Sequence, residues 1–151
     1  MANWCDNLLY VTGSKKSLQK FLEACGEEFN LNALVPVPAD ITNSRVSQWC
    51  VENWGTKCDV GDSVTYVSNT FEMIEIRFTT AWSPPLAWVG KVSRYFPDLQ
   101  FCIKYFEPGF GLAGEYHYKN GNEIAIPVEA NTSEYIEFIR DNFDAGYELV
   151  A

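Results

Sequence analysis

Residues 72–79 read Glu72-Met-Ile-Glu-Ile-Arg-Phe-Thr79, and their alternation decides the fold. Ile74, Ile76 and Phe78 share one parity while Glu75, Arg77 and Thr79 share the other. That two-residue period belongs to a strand with one buried face. Ser83-Pro84-Pro85 follows, a hydroxyl N-cap and a proline whose fixed φ suits the first helical turn. The predicted helix carries Leu86, Val89, Val92 and Phe96, and Pro97 closes it. Leu99, Phe101, Ile103 and Tyr105 then resume the two-residue period. Residues 72–105 therefore read as strand, helix, strand.

Upstream, Val64–Ser68 reads as another strand, and Leu8–Thr12 as a short one ended by Gly13. Ser14 is placed to cap a helix whose apolar residues Leu18, Phe21, Leu22 and Cys25 fall at i, i+3, i+4 and i+7, with Gly26 as its stop. Val35–Asp40 is extended, because each proline disfavours helix in the residue before it. A second helix is predicted over Ser44–Asn53 with Val46, Trp49 and Cys50 inward and Gly55 ending it. Downstream, Leu112–Lys119 and Glu123–Val128 flank Asn120-Gly121, the strongest short hairpin signal. A last helix is predicted over Thr132–Phe143, with Asn131 as N-cap and Glu134 completing a capping box. The order predicts an α+β fold: a ferredoxin-like split βαβ sandwich, its antiparallel sheet covered by helices on one face, extended by a β-hairpin and a C-terminal helix. All 151 residues form one domain in this reading, with a body over 1–118 and an appendage over 119–151.

Composition narrows the function. Hydrophobic residues make up 47% and aromatic residues 15%, too many for disorder. No stretch approaches the roughly 18 apolar residues of a membrane span, and the N-terminus has no charged-then-apolar leader pattern, so a cytoplasmic, non-membrane protein is expected. The net charge of −9 argues against direct binding to nucleic acid, whose readers are normally basic. Cys5, Cys25, Cys50, Cys58 and Cys102 are odd in number and irregularly spaced, with no CxxC pair and with His117 as the lone histidine, so neither a disulfide framework nor a metal site is expected. A Cys–His pair involving His117 is conceivable, but on a strand His117 shares a face with Glu115 and Lys119, which reads as surface. The glycine-rich run Glu107–Gly114 lacks the lysine and following helix of a phosphate cradle and reads as a bend between strands. No catalytic motif occurs, so no enzyme activity, catalytic residue or cofactor is assigned.

The charge is unevenly distributed. Residues 121–151 carry seven acids and one base, a net −6, leaving only −3 for residues 1–120. On the last helix Glu134, Glu137, Asp141 and Asp144 fall within roughly 80° of one another at about 100° per residue. Tyr135, Ile136, Ile139 and Phe143 face the other way, and Phe138 borders the acidic stripe. A solvated amphipathic face is the ordinary reading; a docking surface for a basic partner, with Phe138 as apolar anchor, is the functional one. Trp49, Trp54, Trp82 and Trp88 sit near helix ends and read as core residues with a polar handle, or as interface anchors where exposed. A pocket where Asn53, Trp54, Lys57 and Trp82 converge is the alternative site, for a small molecule or an enzyme. A self-associating module built on the hairpin edge is a third reading, and the oligomeric state is left open.

Several segments together resemble a known family. They are Met1–Gly13, Trp49-Cys-Val-Glu-Asn-Trp-Gly-Thr-Lys57, Phe78-Thr-Thr-Ala-Trp-Ser-Pro-Pro85, Phe96-Pro-Asp-Leu-Gln-Phe101, Tyr105-Phe-Glu-Pro-Gly109 and Leu112-Ala-Gly114. They look like the YubB-type ferredoxin-like proteins of conjugative plasmids and phages, over residues 1–118, with Cys58 standing where that pattern has an aromatic residue. The resemblance implies the same fold and a mobile-element origin, and it brings no activity or catalytic residues. By analogy with small acidic accessory proteins of such elements, the expectation is an anti-CRISPR-like inhibitor in the host bacterial cell that binds the basic surface of a host defence complex.

Overall fold

The computed structural model describes residues 3–62, 64–69 and 72–143, and the statements below concern those residues. The alternating segment forms β3 (Met73–Ala81), with Ile74, Ile76 and Phe78 buried as the pattern requires. Around it run β1 (Trp4–Thr12), α1 (Lys15–Cys25), a 3-10 turn (Asn43–Arg45), α2 (Val46–Trp54), β2 (Thr65–Asn69), α3 (Leu86–Tyr95), β4 (Gln100–Glu107), β5 (Leu112–Lys119), β6 (Asn122–Pro127) and α4 (Ser133–Phe143). The strands make one antiparallel sheet in the order β2-β3-β1-β4-β5-β6. Central β1 places Leu9 opposite both Ile76 and Ile103. The first four positions are the ferredoxin-like arrangement, and the hairpin β5–β6 extends it beyond β4.

Three helices cover one face. Leu18, Phe21 and Cys25 of α1, Cys50 and Trp54 of α2, and Trp88, Val89 and Val92 of α3 pack with Leu9, Val11, Ile74, Ile76, Phe101 and Ile103 in the main core. Phe106 has the opposite parity from Phe101 and Ile103, so it points to the other face. There α4 docks, and Phe106 and Ala113 meet Tyr135 and Ile139 in a second cluster. The one-face arrangement thus holds for α1, α2 and α3, while the C-terminal helix takes the opposite side.

Local chemistry explains the boundaries. Ser14 caps α1 as expected, its side chain accepting from the Ser17 amide at 3.2 Å. Asn120 and Gly121 both have positive φ (48° and 81°), as a tight hairpin turn requires. Gly55 ends α2 in the left-handed region at φ 90°. Two expected helix starts shift. Ser83 does not cap α3, which begins at Leu86 after Pro85; its hydroxyl instead donates to the Gly55 carbonyl at 2.6 Å, tying the loop to the end of α2. At α4 the capping oxygen is that of Thr132, which accepts from the Tyr135 amide at 3.2 Å, while Asn131 sits outside the helix at φ 63°.

Candidate functional site

The amphipathic reading of α4 matches its placement. Tyr135 and Ile139 are buried, Ile136 and Phe143 pack at the edge of the second cluster, and Glu134, Glu137 and Asp141 are exposed. Phe138 is half-buried against that same cluster, 6.1 Å from the Phe143 ring, so it lies at the foot of the stripe. Asp144 lies outside the described residues. The sheet beneath holds the helix end with two cations. Arg77 donates from Nη1 to the Asn142 carbonyl at 2.7 Å, and Lys104 donates from Nζ to Asn142 Oδ1 at 3.0 Å. Cations at a helix C-terminus satisfy its unpaired carbonyls and offset the negative end of the dipole. The ion pairs among the described residues join Arg77 to Glu75, and Lys104 and His117 to Glu115. None of them engages Glu134, Glu137 or Asp141, so the stripe has no ion-pair partner among the described residues.

The alternative set divides. Trp54 is 2% exposed and donates from Nε1 to the Val35 carbonyl at 2.8 Å, which makes it a core residue that cannot line an open pocket. Asn53 donates to the Trp49 carbonyl and accepts from Lys91 Nζ at 2.5 Å. Lys57 and Trp82 do meet, the ammonium lying 5.7 Å from the ring centroid. Trp82 is 37% exposed and stacks obliquely on Phe110 at 6.0 Å. Sequence position near a helix end did not separate the buried Trp54 and Trp88 from the exposed Trp82.

The glycine-rich bend closes on itself. The carboxylate of Glu107, 1% exposed, accepts from the amides of Gly109 at 2.8 Å and Phe110 at 2.7 Å. The convergent amides that could hold an external anion already hold the chain's own carboxylate.

The β4–β5 register brings together a cluster that spacing rules did not predict. Cys102 pairs directly with His117, and Glu115 stands two residues from His117 on the same face. Nε2 of His117 lies 2.6 Å from Glu115 Oε2 and 3.7 Å from Cys102 Sγ. Burial, then the Glu115 charge, pushes the Cys102 thiol up to about 11. Burial alone pushes Cys25 up to about 12, and burial followed by the charge of Asp6 raises Cys5 further. Such thiols are poor nucleophiles at neutral pH, whereas Cys58 is exposed. The signal for the cluster was the shared parity of Glu115 and His117; its third member needed the strand register, which the bend length sets.

No helix among the described residues is long and apolar enough to cross a membrane. The chain matches the family model of the ferredoxin-like domain in Api92-like proteins over residues 62–148, which run from β2 through the hairpin to α4. A crystal structure of the protein Api92 from Yersinia pseudotuberculosis has a similar fold, with a TM-score of 0.54 and 15% identity over 68% of this chain and 40% of that protein. The chain thus spans less than half the length of that protein. Among curated proteins none shows significant similarity to it. With more than half of its residues inside the family match, the chain belongs to the family of ferredoxin-like domains of Api92-like proteins.

Proposed function

We propose that this is a non-catalytic binding protein that presents the outer face of α4 to a basic protein surface. The carrying observation is the exposed row Glu134, Glu137 and Asp141, unpaired among the described residues, on a helix whose other face is fixed to the sheet by Tyr135 and Ile139. A rigid row of carboxylates matches a surface shaped for nucleic-acid phosphates, and a charged field of this kind speeds encounter and makes binding salt-dependent. The partner class we infer is a nucleic-acid-handling host defence complex, such as a CRISPR effector. The setting we infer is a phage or plasmid accessory protein in a bacterial cytoplasm, and the YubB-type resemblance supports it. The test is a pull-down from bacterial host lysate, followed by binding to the purified complex it recovers. Charge reversal of Glu134, Glu137 and Asp141 to lysine is expected to weaken that binding by roughly a hundredfold or more, with the circular dichroism spectrum unchanged. Binding that survives the triple reversal overturns the electrostatic mechanism.

One observation favours a second reading. All six residues of β6 are exposed, Ile124 at 65% and Ile126 at 45%, and the strand forms a sheet edge left open among the described residues. Such an edge is a template for pairing with another chain. If β6 pairs with its copy, light scattering gives a dimer mass that Ile124→Lys returns to monomer. A monomer at every concentration removes this reading.

A further inference from the structure

We propose that Cys102, Glu115 and His117 form a binding site for a divalent cation of the zinc class, on the sheet face that also carries α4. Their ligand atoms lie within 4.8 Å of one another, on two paired strands in the interior of the sheet. The donors are a sulfur, an imidazole nitrogen and a carboxylate oxygen, a set that selects zinc and its borderline neighbours over magnesium or calcium.

The spacing fits. In a tetrahedral zinc site the edge between sulfur and nitrogen is about 3.5 Å, given zinc–sulfur and zinc–nitrogen bonds of about 2.3 and 2.0 Å. The separation of Cys102 Sγ and His117 Nε2 is 3.7 Å. The two residues are direct partners across β4 and β5, so the register holds their side chains beside each other. Only Glu115 must move. Its Oε2 now hydrogen-bonds Nε2 at 2.6 Å, and a cation between them opens that edge by about 0.7–0.8 Å, since zinc–oxygen bonds are about 2.0–2.2 Å. Glu115 keeps a partner as it turns, because Lys104 Nζ stands 3.9 Å from its other oxygen, Oε1. Lys104 is in turn held by Asn142 of α4 at 3.0 Å. Supports of this kind orient the ligands of natural metal sites.

Coordination would release the Cys102 thiol proton to solvent, and the proton that His117 Nε2 shares with Glu115 would pass to solvent or be replaced by one on Nδ1, freeing the Nε2 lone pair for the cation. Three protein ligands leave a fourth position for water. The His117 side chain is 43% exposed, so the cluster is open to solvent on that side.

The competing account is an ordinary His117–Glu115 ion pair with a bystander thiol, and cobalt(II) separates the two. The exposed Cys58 is first replaced by serine in the full chain, so that a free surface thiol contributes no signal. Titration of this reduced Cys58→Ser parent with cobalt(II) is expected to give a thiolate-to-cobalt charge-transfer band that saturates at one equivalent and is bleached by zinc(II). Cys102→Ser should abolish the band, while His117→Gln and Glu115→Gln should each weaken binding by about tenfold or more. Circular dichroism on each variant checks the fold. Absence of the band in the folded parent, or its persistence in folded Cys102→Ser, overturns the proposal.

Discussion

Trp88→Ala is expected to lower the unfolding free energy by about 3–5 kcal/mol from the cavity alone. Trp88 is 0% exposed, packs edge-on against Phe29 at 5.6 Å, and fills the space between α3 and the sheet. It also donates from Nε1 to the Leu31 carbonyl at 2.9 Å. That bond anchors the irregular chain after α1 to α3, so truncation leaves a cavity and strips the Leu31 carbonyl of one of its two donors, the Val35 amide at 3.2 Å remaining. Total stability for a domain of this size is about 5–15 kcal/mol, so the variant loses a large share of it. Urea unfolding followed by far-ultraviolet circular dichroism measures the loss. Trp88→Phe, which keeps most of the volume and loses the donor, should fall between wild type and alanine. A shift below about 1 kcal/mol for the alanine variant contradicts the assignment of Trp88 as the central core residue of α3.

Glu107→Ala is expected to cost about 2–3 kcal/mol, an unusual sum for an acidic residue in an acidic protein. Removing a negative charge from the surface of a chain carrying −9 should be neutral or favourable. Glu107 differs because its carboxylate is buried and takes two backbone amides, at 2.8 and 2.7 Å, that set the turn between β4 and β5. Without it the amides of Gly109 and Phe110 find water instead, which keeps the loss below the roughly 3–6 kcal/mol that two bonds to a charged group would sum to. Phe110 would also leave Trp82, so tryptophan fluorescence should change along with the thermal midpoint. An unchanged midpoint would show that solvent replaces the carboxylate without cost.

The elements were legible where local pattern and tertiary demand agree. The alternation in β3, the Asn120-Gly121 turn and the two-sided α4 each follow from a period or a backbone requirement contained within a few residues. Ser83 shows where this stops: a serine before two prolines has the composition of a cap, but its hydroxyl is claimed by Gly55, 28 residues away in the chain. The acidic stripe could be drawn from helical geometry alone, because its members lie on one element. The Cys102–Glu115–His117 cluster could not, because its geometry depends on a strand register. Trp54 and Trp82 show the same limit for burial. Both stand at helix boundaries, and it is tertiary packing, including the Val35 carbonyl that takes the Trp54 indole N–H, that puts one inside.

The sheet divides the apolar interior into two clusters with no buried residue in common, a large one under α1, α2 and α3 and a small one under α4. Substitutions in separated clusters add in their effects on stability. The outward positions of α4 can therefore be exchanged wholesale without disturbing the packing that folds the chain. The proposed docking face on α4 can thus vary at low risk to the scaffold beneath it.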